Sequence, residues 1–250
     1  MDLRPLMVAL MIVSTALLVR ADEPKTDLPA PGADGFIELF NGKDLTGWDG
    51  LPGFWSVKDG AISGQESKES PAPQTDLNLA ASVAHPEKFS DFELRYSYKF
   101  TTPAGNSGVQ YRSVINDADT KHCGGYQADC DAKQGYDGTI YDESGIVGGR
   151  KTMSNRGENT TWTADNKRQA TPLPESAADL KKLIKVQDWN DVVLVVKGNH
   201  VTYTINGHLM TEMTDESPNA RKDGVIGLQL HHGFVMEVLF KDIKIKFLDQ

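Results

Sequence analysis

The stretch HVTYTINGHLMTEM, residues 200–213, constrains the fold more than any other. Val201, Tyr203 and Ile205 alternate with Thr202 and Thr204, the two-residue period of a strand with one buried face. Asn206-Gly207 then supplies two residues that tolerate positive φ, as a tight two-residue hairpin turn requires. DFELRYSYKF repeats the alternation, with Phe92, Leu94, Tyr96, Tyr98 and Phe100 set against Glu93, Arg95, Ser97 and Lys99. FWSVKDGAISG reads as a second hairpin around Asp59-Gly60. VVLVV, 192–196, is apolar throughout and is expected to be buried on both faces. The last run, 235–248, settles into Ile243, Ile245 and Phe247 on one side and Asp242, Lys244 and Lys246 on the other. One short helix is expected, in SAADLKKLIK (176–185), with Ser176 as its N-cap. Long loops are expected at about 65–88 and about 145–175. Many short strands and no internal repeat predict one all-β domain, a jelly-roll β-sandwich of two antiparallel sheets.

The N-terminus reads differently. Arg4 precedes a nearly continuous apolar run, 6–19, and a small-residue site ends at Ala21. This predicts a signal peptide over 1–21 and a periplasmic or secreted bacterial protein. The run is short for a membrane span, and none is expected elsewhere. Residues 22–34 (DEPKTDLPAPGAD) read as a flexible, Pro-rich leader, and 35–250 as the folded domain. Removing 1–21 takes away Arg4, Arg20 and Asp2, so the formal charge of −9 becomes −10. That balance argues against nucleic acid as a partner and suits a neutral ligand. Cys123 and Cys130 are the only cysteines; export permits a disulfide between them across Gly124-Gly125, with two free thiols as the alternative.

Three stretches place polar side chains in rows. In GNSGVQYRS, Gln110 and Arg112 share one side of a strand, with Asn106 just before it. In GYQADCD, Gln127, Asp129 and Asp131 share one side; in GVIGLQLHHG, Gln229 and His231 do. A solvated sheet face alone would explain any one of these residues. Together they are planar amides, a guanidinium, a carboxylate and an imidazole beside glycines, directional groups that suit sugar hydroxyls. Gly105 and Gly108 would let a ligand approach the backbone.

The motifs FIELFNGKDLTGW, GNSGVQYR, GYQAD, GTIYDE, WNDVVLVVKGN, ING and GVIGLQLH, closing on FKDIKIK, follow one another in an order that resembles the 3-keto-disaccharide hydrolase family. The resemblance implies a concanavalin-like jelly roll and a mono- or oligosaccharide ligand. It also implies a chemistry. A ketone at C3 acidifies the C2 proton, a base removes it, the glycosidic oxygen leaves C1, and water adds to the resulting double bond. The reaction needs a base, a cation or donors for the enediolate oxygen, and an acid for the leaving group. It does not need the paired carboxylates of ordinary glycosidases, and the E-x-D-x-x-E strand of jelly-roll glucanases is absent.

On those motifs His231 is the first candidate base, with Asp129 and Glu143 as the other candidate catalytic groups. Arg112 and Arg150 could hold the enediolate oxygen or a hydroxyl. Asn106, Gln110, Gln127 and Gln229 would orient the sugar, and Tyr136 and Tyr141 could stack on it. The structural alternatives are an Asp129–Arg112 pair across the sheet and an Arg150 salt bridge. No cofactor is assigned, and a divalent metal stays open because Asp129, Glu143 and His231 could converge on one. A non-catalytic carbohydrate-binding module and a surface or adhesion domain are the competing functions.

Overall fold

The computed structural model describes residues 26–248, so the predicted signal peptide and the first residues of the leader lie outside the described part. The leader residues within it lie against the domain: Leu28 packs on the core, and the Gly32 amide donates to the Phe36 carbonyl at 2.7 Å.

The chain opens with β1 (Ile37–Glu38), β2 (Trp48–Asp49) and the hairpin of β3 (Trp55–Lys58) and β4 (Ala61–Glu66). There follow β5 (Thr75–Leu79), a short helix α1 (Ala80–Ala84) and β6 (Phe92–Phe100). A long hairpin, β7 (Asn106–Asp117) and β8 (His122–Asp131), leads to β9 (Thr139–Glu143), β10 (Thr152–Ser154), β11 (Glu158–Trp162) and β12 (Arg168–Pro172). After α2 (Ala177–Lys182) come β13 (Asn190–Lys197), β14 (His200–Ile205), β15 (His208–Asp215), β16 (Val225–Leu230) and β17 (Met236–Phe247).

These strands form two sheets. The larger has ten strands, ordered β12-β11-β15-β14-β13-β6-β17-β4-β3 with β1 added on β17; the smaller has seven, ordered β10-β9-β8-β7-β16-β5-β2. All pairs are antiparallel except β11 with β15. This is the expected all-β sandwich. Its core is the apolar half of each alternating strand: Phe92, Leu94, Tyr96 and Tyr98 on β6, Val201, Tyr203 and Ile205 on β14, and Val109, Tyr111, Tyr126 and Leu228 from the smaller sheet. Polar ties cross between the sheets, where Tyr126 Oη donates to Asp215 at 2.7 Å and Tyr203 Oη to the Asp129 carbonyl at 3.2 Å. Such partners are what buried phenols need.

Several expectations change. On β13, Val193 and Val195 are half-buried rather than sealed on both faces. The first expected loop holds β5 and α1, and the second holds β10, β11 and β12. The disulfide does not form: Cys123 and Cys130 are both free and buried. Both lie on β8, and seven residues of strand span about 23 Å at ~3.3 Å each, far beyond a bridge. Gly124-Gly125 continues the strand instead of turning it. The Cys123 thiol donates to Asn78 Oδ1 at 3.0 Å, while Cys130 joins the core.

The β7–β16 contact depends on Gly224, at φ 150°, where a Cβ would lie 2.3 Å from the Ser113 carbonyl oxygen. Gly224→Ala therefore overpacks a backbone-to-backbone approach. It is expected to lower stability by about 1–3 kcal/mol, read as a shift of the urea midpoint.

Candidate functional site

The seven-stranded sheet carries the polar rows on its face away from the core. Across it, Tyr141 pairs with Gln127, Gln127 with Gln110, Gln110 with Gly227 and Gly227 with Asn78. The adjacent row runs Thr139, Asp129, Gly108, and Gln229 pairs with Asp76 beyond. Glycines alternate with amides for a steric reason. A Cβ on Gly108 would sit 2.7 Å from Gln127 Cγ, and one on Gly227 would sit 2.5 Å from Asn78 Oδ1. The room at Gly108 is thus taken by a glutamine rather than left for a ligand, and Gly105 abuts Met236.

A cleft of about 290 Å³ opens on this face, lined by Asn106, Gln127, Asp129, Tyr136, Tyr141, Glu143, His231 and Phe234. It gathers the three candidate catalytic groups, two of the amides and both tyrosines. His231 follows β16 directly, and its Nδ1 lies 2.8 Å from the His232 carbonyl oxygen. A carbonyl only accepts, so Nδ1 carries the hydrogen and, in the neutral ring, Nε2 keeps its lone pair. Asp129 is buried at the cleft wall and accepts from Asn106 Nδ2 at 3.0 Å. Burial pushes its carboxyl well above the usual range; Asn106 opposes this, and Asp137, Asp131 and Glu143 add to it. The surroundings of Asp129 thus favour its protonated form more than those of an exposed aspartate, and one of its oxygens is committed to Asn106. Tyr136 is half exposed over the opening, its backbone N–H held by Asp131 at 2.7 Å.

Gln110 and Gln229 share the sheet face but do not line the cleft, and both are fully buried. Gln127 Nε2, Gln110 Nε2, both polar atoms of the Gln229 side chain and Asp76 Oδ1 are buried without a protein partner. Such atoms are costly in a protein interior unless something bonds them. Their concentration on one face beside the cleft marks it as built for polar contacts.

Two expected residues are elsewhere. Arg112 leaves the row because the β7–β8 register shifts after Tyr111, and Arg112 itself takes φ 45°. Its guanidinium donates to the carbonyls of Ser90, Gly198 and Arg221 and to Asp91 at 2.9 Å. It therefore does not pair with Asp129. Arg150 meets Asp215 at 3.1 Å, bonds Ser217 and Asn166, and stacks 4.2 Å above Trp162. It is the structural salt bridge, and Trp162 is its platform. A larger cleft of about 830 Å³ lies beside Arg112, with Asp91 and Asp215 in its wall, both already paired with arginines. Asp129, Glu143 and His231 share one cleft, yet among the described residues no group of three or more His, Cys, Asp or Glu side chains is arranged to hold a metal ion.

Sequence reasoning missed Phe234, Asp76 and His122. Asp76 Oδ2 meets His122 Nδ1 at 2.8 Å, and His122 Nε2 lies 3.4 Å from Glu143 Oε1. The alternation of TDLNL, with Leu77 and Leu79 against Asp76 and Asn78, was the available signal for β5. His122 gave none, because it sits beyond the β-bulges of the β7–β8 hairpin.

Comparison with known proteins bears on the fold and the family. The fold is similar to a candidate glycosyl hydrolase from Parabacteroides distasonis, with a TM-score of 0.51 and 21% identity over 87% of this chain and 95% of that one. It is equally similar to the carbohydrate-binding module CBM66 of Bacillus subtilis, with a TM-score of 0.51 and 16% identity over 80% of this chain and 95% of that one. Among the described residues no helix is long and apolar enough to cross a membrane. A stretch of 99 residues, 38% of this chain, is 33% identical to a 3-keto-disaccharide hydrolase of Bacteroides thetaiotaomicron, and spans only 32% of that relative's length. Residues 35–246 match a family as a whole: the chain belongs to the 3-keto-alpha-glucoside-1,2-lyase-like domain family.

Proposed function

We propose that the protein is an exported enzyme that cleaves 3-keto-glycosides by elimination and hydration. His231 Nε2 takes the proton from C2, and the electron pair moves into an enediolate with its charge on the C3 oxygen. Gln127, whose Nε2 has no protein partner, supplies an N–H donor near that charge, while Asn106 holds Asp129. The enediolate collapses, the C1–O bond breaks, and Asp129 gives its proton to the departing oxygen. Water then adds: the Asp129 carboxylate takes one of its protons as its hydroxyl bonds to C1, and the His231 imidazolium returns a proton to C2. The products are a free 3-keto sugar and the alcohol, a net hydrolysis. Tyr136 offers a ring face to the sugar.

One observation carries this reading: a single cleft holds an imidazole whose Nδ1 is committed to a carbonyl together with a buried carboxyl that burial pushes toward its protonated form. Family membership supports the substrate class. Export rests on the apolar stretch 6–19 and the Ala21 site, and N-terminal sequencing of periplasmic and culture fractions tests it.

The direct experiment incubates the protein with a 3-keto disaccharide and measures free sugar. Asp129→Asn keeps an oxygen for Asn106 to bond but cannot donate an acidic proton. It is expected to lower kcat by about 10²-fold with an alcohol leaving group, and far less with a nitrophenol, which needs no proton. Equal losses for both would remove Asp129 from the acid role. Sugar binding without release would assign the cleft to capture alone.

A further inference from the structure

His122 and Asp76 take no part in the reaction as written, yet they are joined to the cleft. The tip of the β7–β8 hairpin leans back over its own sheet. The Lys121 carbonyl accepts from Asn78 Nδ2 at 2.8 Å and the Thr120 carbonyl from Thr75 at 2.5 Å, both on β5. This brings His122 between two acids from different strands. Its Nδ1 lies 2.8 Å from Asp76 Oδ2; its Nε2 lies 3.4 Å from Glu143 Oε1 and 3.0 Å from Ser144 Oγ. Asp76 is fully buried and is itself pinned by the Cys123 N–H at 2.8 Å. Glu143, by contrast, reaches the cleft.

We propose that His122 is a positioning residue for Glu143: a doubly protonated bridge, anchored from behind by Asp76, that holds the Glu143 carboxylate toward the cleft. The proposal rests on the cleft being the reaction site. Ionised carboxylates accept and do not donate, so a ring between two of them carries a hydrogen on each nitrogen, with the Ser144 hydroxyl turned to accept as well. Burial raises the Asp76 pKa, and the bond and charge of His122 oppose that rise. Burial alone would lower the His122 pKa, but the bonds and charges of Asp76 and Glu143 outweigh it and raise it to about 9. Asp117 on β7, the Cys123 thiol and Lys121 are the other titratable groups around it, and Lys121 is paired with Asp49 at 3.0 Å. With the folded value raised, the bridge is fully in place below the unfolded value near 6.5 and is lost as pH rises through about 9. In this arrangement Glu143 presents a fixed acceptor to a sugar hydroxyl, or to the water of the second half-reaction.

Two readouts test it. In NMR titrations of the whole protein, the His122 imidazole should titrate near pH 9, and near its ordinary value in Asp76→Asn and in Glu143→Gln. A midpoint that ignores both substitutions overturns the bridge. In turnover of a 3-keto disaccharide, His122→Gln should lower kcat by about 10²-fold in protein whose melting temperature shows it folded. A merely structural histidine would reduce melting temperature and leave kcat of the folded protein intact, which also overturns the proposal. If the parent protein releases no sugar, the reaction reading fails; a midpoint near pH 9 that responds to both acids would still support the bridge.

Discussion

His231→Ala is expected to lower kcat for 3-keto disaccharide cleavage by about 10²–10⁴-fold, with a much smaller change in KM. By the usual conversion this is about 3–5 kcal/mol of lost transition-state stabilisation. The size follows from the geometry. The Nδ1 hydrogen is committed to the His232 carbonyl, so one nitrogen of a ring lining the cleft is left to take a proton. The ring rests against His232 at 5.0 Å and Phe234 at 5.5 Å between centroids, contacts that orient it without using Nε2. Two further measurements isolate the proton transfer. A substrate deuterated at C2 should react more slowly with the parent protein, and exchange of C2–H with heavy water should disappear in the variant. A variant that retains the parent kcat would take His231 out of the reaction.

Arg112→Ala is expected to cost about 3–5 kcal/mol of stability and to leave kcat of the folded fraction unchanged. The guanidinium is buried and donates to three backbone carbonyls and to Asp91. Removing it leaves those acceptors without a donor and Asp91 without its counter-charge. The melting temperature should fall by roughly 10 °C for a domain of this size. Arg112→Gly separates two contributions, since glycine accepts φ 45° without strain while still losing the bonds. It should be somewhat less destabilised than the alanine variant. A loss of activity in excess of the loss of fold would return Arg112 to the site.

Arg112 also shows where the sequence stops being readable. Alternation places Val109 and Tyr111 toward the core and Gln110 on the polar face, and both are correct. A bulge after Tyr111 breaks the count, and no residue there announces it. The same irregularity hid His122. Arg150 failed for another reason: its partner Asp215 lies 65 residues away, and only the closed sandwich brings them together. The cysteines misled because Gly124-Gly125 reads as a turn, whereas in the structure Gly125 takes φ 144° within a continuing strand. β5 reads as loop because Asp76 and Asn78 occupy its outward positions, although that outward face is the polar one. What was legible was each strand's two-sidedness, which points to Gln127, Asp129 and His231; Asn106, Glu143, Tyr136 and Tyr141, which line the same cleft, were legible only from the motifs and the loop after the second polar strand.

The strand order has a consequence for how the molecule behaves among copies of itself. The larger sheet ends in β12 and β3, of five and four residues, and the smaller in β10 and β2, of three and two. β12 is solvent-exposed along its length, begins with Arg168 and ends with Pro172, which cannot donate a hydrogen bond. Strand-to-strand addition needs a long, flat row of free backbone groups, and neither sheet ends in one. The longest strands, β7 and β17, are enclosed by neighbours on both sides, so the chain keeps its most adhesive segments where another molecule cannot template on them.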